Sequence, residues 1–165
     1  MSTSEINELL ERARAIARDS ESEDETVRAE FESALNRLRS LAGRSPRANA
    51  GSRFEDQVAA ALLRIPGLSV ELSPEVADAK IRPDFVVHQG DDTVLVEAKS
   101  RPTFARQTAR DLAQAMAAYG AQRGAIVVPD RAYSPVANID LDRNVALVQL
   151  GELGSFFNDV RGAQP

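Results

Sequence analysis

The chain has 165 residues, 43% apolar and 27% charged, the balance of a globular protein with room for one core domain and a small appendage. No apolar run approaches the roughly 20 residues that cross a bilayer, and residues 1–14 lack the apolar stretch of a signal peptide; a cytoplasmic protein with no membrane partner is expected. There is no cysteine, and His88 is the only histidine. Disulfides, thiolate metal sites, cysteine nucleophiles and histidine-cluster metal sites are therefore excluded. Any metal must be held mainly by oxygen, which favours magnesium, manganese or calcium.

The net charge of −5 argues at first against a nucleic-acid partner. Its distribution weakens that objection: residues 1–43 hold ten acids against six arginines, whereas residues 44–165 hold fifteen acids against fourteen bases. Only Lys80 and Lys99 are lysines.

In chain order, residues 5–18 set Ile6, Leu9, Leu10, Ala13, Ile16 and Ala17 at helical spacing, and 23–42 do the same with Val27, Phe31, Ala34, Leu35, Leu38 and Leu41. Ser2 with Glu5, and Ser22 with Glu25, read as capping boxes. Residues 1–43 thus form a helical hairpin whose apolar stripes pack on the main domain, on a second copy, or on another protein. Residues 44–53 form a basic linker rich in breakers. A helix is expected over 54–65, stopped by Pro66-Gly67, then a strand over 68–72, strands over about 81–88 and 93–99, and a helix over 104–119 with Phe104, Leu112, Met116 and Tyr119 inward and Thr108 as the polar member of that face. Apolar runs at 125–128 and 145–150 have the length of buried strands, and a short amphipathic segment spans about 154–160. The order describes an α/β chain with a mixed sheet and helices on its faces. The domains are then the hairpin 1–43, the linker 44–53 and a main domain 54–165.

The informative segment is Arg82-Pro83-Asp84-Phe85-Val86-Val87 followed by Val94-Leu95-Val96-Glu97-Ala98-Lys99. A turn centred on Gly90-Asp91 sets Gln89 opposite Asp92, with glycine at the first central position as a type II′ turn prefers. Counting outward, His88 faces Thr93, Val86 faces Leu95, and Asp84 faces Glu97. Facing residues share one side of the sheet about 4.5–5.5 Å apart at Cβ. Lys99 falls on that side too, while Phe85, Val87, Val94, Val96 and Ala98 line the other. Two facing carboxylates cannot both ionise cheaply without a compensating cation; a divalent ion resolves the conflict and Lys99 alone does so in part. The plain alternative is a solvent-facing hairpin with ordinary surface charges.

Pro83-Asp84, the thirteen-residue step to Glu97, and Glu97-Ala98-Lys99 resemble the PD-(D/E)xK motif of the restriction-endonuclease-like nuclease superfamily. The resemblance covers about residues 52–150 and leaves 1–43 outside. It implies a restriction-endonuclease-like mixed β-sheet flanked by helices, preceded here by the helical hairpin. It implies further that Asp84 and Glu97 ligate Mg2+ (or Mn2+) together with the Ala98 backbone carbonyl. The ion polarises a phosphate oxygen and acidifies a water, and Lys99 orients that water or stabilises charge on the phosphorus centre. Family members often carry an acid in the helix before the hairpin, where Glu55 stands; Ser52-Arg53-Phe54-Glu55 is equally a capping box, so Glu55 is either a site residue or a helix cap. Gln114 and Tyr119 resemble a glutamine–tyrosine pair of some branches, but with a spacing of five instead of four, and Gln114 falls opposite the apolar face.

Lys99, Arg101, Arg106 and Arg110 have no acid among them. Arg106 and Arg110 share a helix face, so the three arginines form a candidate phosphate-contacting strip or a solvated helix face. His88 reads as a solvated turn residue and Asp130 as a strand-end cap. The leading reading is a magnesium-dependent deoxyribonuclease, an endonuclease acting on DNA with RNA left open. A homodimer is its expected assembly, with residues 1–43 as the candidate self-association surface. The second reading is a catalytically silent nuclease-like module that binds nucleic acid or a protein, and the third an interaction unit dominated by residues 1–43.

Overall fold

The computed structural model describes residues 3–19, 25–41, 50–72, 81–101, 105–130 and 144–159. The linker up to residue 49, the side chains of the hairpin's capping boxes, and Phe104 lie outside them. The elements are helices α1 (Thr3–Asp19), α2 (Glu25–Leu41) and α3 (Ala50–Arg64), strands β1 (Ser69–Leu72), β2 (Phe85–Gln89) and β3 (Asp92–Ala98), helix α4 (Ala105–Tyr119), strands β4 (Arg123–Val128) and β5 (Val145–Gln149), a 3₁₀ turn (Leu150–Glu152) and helix α5 (Leu153–Asp159).

The five strands lie in the order β1-β2-β3-β4-β5. The first three are antiparallel neighbours, and β3, β4 and β5 run parallel. This is the mixed α/β architecture expected from the element order. Period-2 alternation divides its apolar residues between two layers. Phe85, Val87, Val94, Val96, Ala125 and Val127 point to the layer built from α1, α2, α3 and α5. Val86, Leu95, Ile126 and Val128 point to α4, where Ala109, Leu112, Ala115 and Met116 cover them.

The β2–β3 register pairs Gln89 with Asp92, His88 with Thr93 and Val86 with Leu95, as the turn count requires. Gly90 sits at φ +60, which a side chain at the first position of a primed turn resists. Helix α4 ends in a Schellman motif: the Ala121 amide donates to the Met116 carbonyl and the Gly120 amide to the Ala117 carbonyl, with Gly120 at φ +62.

Several boundaries differ from expectation, three of them at element starts. Helix α3 begins at Ala50, four residues early, with Gly51 in its first turn, away from the helix interior where glycine costs most. Strand β2 begins only at Phe85, since Pro83 has no N–H for the ladder. Strand β4 extends back to Arg123, whose guanidinium lies 5.1 Å from the Phe156 ring centre.

Part of the hairpin's apolar stripes is buried inside the chain, while Leu9, Leu10 and Ile16 are half-buried. Ala13 and Ala17 of α1 and Phe31, Ala34, Leu35 and Leu38 of α2 belong to the same core as Phe54, Leu62, Phe85 and Phe157. Two arginines fasten the join: Arg14 Nη2 donates to the Leu68 carbonyl at 2.7 Å, and Arg64 Nε donates to the Ala17 carbonyl at 2.5 Å. Among the described residues no helix is long and apolar enough to cross a membrane.

Candidate active site

At the C-terminal end of β3 the antiparallel and parallel halves of the sheet meet. Asp84 stands just before β2 and Glu97 near the end of β3, and hydrogen bonds link the two segments. The Asp84 amide donates to Glu97 Oε2 at 3.2 Å, and the Ala98 amide donates to Asp84 Oδ2 at 2.9 Å. The Lys99 ammonium donates to Glu97 Oε1 at 2.7 Å. Thus Asp84, Glu97 and Lys99 come together, with Asp84 7% exposed and the Glu97 and Lys99 side chains 13% and 34% exposed.

Burial, and then the charge of Asp84, push the Glu97 carboxyl up to about 7 against the opposing pull of Lys99. Burial pulls the Lys99 ammonium down, but Glu97, Asp84 and Glu55 together carry it above its usual value. Three carboxylates therefore act on the Lys99 ammonium. Glu55 is 7% exposed and comes from the opposite layer. Since α3 begins at Ala50, Ser52 lies within the helix and not at its cap, so the capping box does not account for Glu55.

The Lys99 amide donates to the Val127 carbonyl at 2.8 Å, so the odd-numbered backbone groups at this end of β3 face β4 and those of Ala98 face β2. Carrying the Phe85–Val96 pairing two residues further sets Pro83 opposite Ala98. Proline has no N–H, so it cannot donate to the carbonyl of Ala98 that faces it. Two carboxylates and a backbone carbonyl stand here, all hard oxygen of the kind that could hold a divalent metal. Among the described residues no three His, Cys, Asp or Glu side chains form a metal-holding cluster, so Glu55 does not complete a carboxylate trio. Two carboxylates nonetheless suit magnesium, which commonly takes one or two and fills its shell with water and phosphate oxygen.

Residues 47–157 match the family model Mrr_cat, a restriction endonuclease. The chain belongs to that family. No curated protein matches it at a significant level. The match begins after α1 and α2 and takes in the whole sheet, so the domain is a restriction-endonuclease-like nuclease with an added N-terminal helical region.

The remaining candidates of this restriction-endonuclease domain are placed as follows. Arg101 is exposed just past β3, and Arg106 and Arg110 are exposed on α4. Gln114 is exposed, and the Tyr119 hydroxyl reaches the Ile81 carbonyl at 3.5 Å. Asp130 Oδ1 accepts from the Gly151 amide at 2.7 Å, capping the 3₁₀ turn after β5. His88 is not simply solvated: Nδ1 lies 3.0 Å from Thr93 Oγ1 and Nε2 3.0 Å from Glu71 Oε1, a polar ladder across β1, β2 and β3. Sequence reasoning missed that ladder, although the diagonal placing of Glu71 follows once β1 is paired with β2. It also missed the part of Pro83 at Ala98, whose signal was the proline itself opposite a strand residue.

The raised Glu97 value has a consequence for stability. A carboxyl more basic in the folded than in the unfolded chain stabilises the fold most below about 4.5, and that contribution is lost as pH rises through about 7. In chelator-treated protein the loss between pH 5 and 8 amounts to a few kcal/mol. Glu97→Gln should flatten this slope and be more stable than the parent at pH 8. Urea unfolding at the two pH values measures it; parallel slopes for parent and variant would contradict the assigned cause.

Proposed function

We propose that the domain is a magnesium-dependent endonuclease that hydrolyses phosphodiester bonds in DNA. The observation that carries this reading is the buried Asp84–Glu97 pair bound across two segments, with the Lys99 ammonium on Glu97. Two close carboxylates suit a divalent cation held by Asp84, Glu97 and the Ala98 carbonyl. Such an ion supplies Lewis acidity toward a phosphate oxygen and acidifies water.

The chain's own residues do the rest. Lys99, held by Glu97, presents an ammonium that orients the attacking water or stabilises charge gathering on the phosphate oxygens. Water adds to phosphorus as the bond to the leaving oxygen breaks, and that oxygen takes up a proton. Glu55, acting through its field, helps keep Lys99 charged. The exposed Arg101, Arg106 and Arg110 contact backbone phosphates and set the position of the strand without reading sequence. A homodimer would cut both strands, with the part of the hairpin that its own core leaves half-buried, such as Leu9 and Ile16, as one candidate surface.

The test is supercoiled plasmid incubated with protein in magnesium, in manganese and in chelator. Nicking is expected with either metal and not in chelator. Chelator-resistant cleavage that survives Asp84→Ala overturns the proposal, and binding without cleavage turns the domain into a silent module.

A further inference from the structure

Helices α1 and α2 precede the part of the chain that matches the family, yet they share its core. We propose that this hairpin is an intramolecular brace that fixes α3, and through it Glu55, at the end of the sheet, with Arg64 and Arg14 as its positioning residues. The inference rests on the reading of Glu55 and Lys99 as parts of a nuclease site.

The brace is built at the far end of α3 from the site. Arg64 occupies the last turn of α3 and donates to the carbonyl of Ala17. That carbonyl lies in the last turn of α1, where the helix dipole favours a cation. Arg14 of α1 donates in turn to the Leu68 carbonyl, in the connection between α3 and β1, while its other nitrogen pairs with Glu11 at 3.0 Å. The two bonds run in opposite directions between the same pair of segments and bracket the end of α3. Ala13 and Ala17, both fully buried, let the α1 backbone come close enough for them.

A brace is needed because of what sits at the other end. Glu55 is a buried carboxylate, and its charge acts on the Lys99 ammonium. The pull of Glu55 on Lys99 depends on where α3 holds it. Glu55 and Arg64 are nine residues apart, or about 13.5 Å along the axis. A tilt of about 5° at the Arg64 end moves Glu55 by about 1.2 Å, on a scale where about 1 Å can cost a hundredfold in rate.

The test uses the full chain carrying Arg14→Ala and Arg64→Ala together, assayed well below its melting midpoint. We expect kcat for plasmid nicking to fall about tenfold with KM unchanged. In a Glu55→Gln background the same two substitutions should change kcat by less than about twofold, because the group they position is already gone. Equal losses in the two backgrounds overturn the proposal, as does a loss confined to KM. Amide exchange gives a readout that needs no activity: exchange over 50–64 should speed up while 105–119 keeps the parent's rates. Unchanged exchange over 50–64, or an equal rise in both helices, overturns the brace. If the parent shows no metal-dependent cleavage at all, the nuclease reading fails by itself, and the exchange experiment still decides whether α1 holds α3.

Discussion

Lys99→Ala is expected to lower metal-dependent cleavage by about 10²–10³-fold, the loss seen when one preorganised charge stabiliser is removed from an active site. Two effects act together. The ammonium is lost from its place beside the phosphate, and Glu97 is left buried next to Asp84 without its 2.7 Å partner. Glu97 then holds its proton to higher pH, which weakens it as a ligand in the neutral range. The fold should survive, because Lys99 is partly exposed and its backbone bond to Val127 does not depend on the side chain. The check is plasmid nicking against the parent alongside circular dichroism. A folded variant with parental activity would remove Lys99 from the mechanism.

Leu35→Ala should destabilise the whole chain by about 2–5 kcal/mol, the range for a fully buried leucine truncated in a core that closes only partly. Leu35 is 0% exposed and lies in α2, outside the family match, yet its cluster includes Val87 and Val94 of the central strands and Phe157 of α5. Thermal unfolding should therefore remain one cooperative transition, shifted down by roughly 5–15 °C for a chain of this size. Two separate transitions, with only the first moved, would show that the hairpin folds as its own unit.

Much of the fold was legible because local rules sufficed. The β2–β3 register follows from Gly90 and the length of the turn, which set Gln89 opposite Asp92. The same count placed Asp84, Glu97 and Lys99 at one sheet end. The start of α3 was not legible, because Ala50-Gly51-Ser52-Arg53 reads as the end of a linker rich in breakers, yet it forms the first turn of the helix. The two readings of Glu55 could not be separated from the string Ser-Arg-Phe-Glu alone; they part only once Ser52 lies inside the helix. The partners of Arg14 and Arg64 are backbone carbonyls 54 and 47 residues away, and backbone acceptors leave no mark in a sequence. The His88 ladder likewise depends on β1, whose pairing no short-range signal specified.

The central claim, that Asp84 and Glu97 converge on one hard cation, is tested most directly by titrating the metal-free protein with Mn2+ and following free manganese by electron paramagnetic resonance. The account predicts a binding site on each chain that is weakened at least about tenfold by Asp84→Asn in a variant that stays folded. A parent that binds no manganese, or an Asp84→Asn variant that binds it as tightly as the parent, would contradict it.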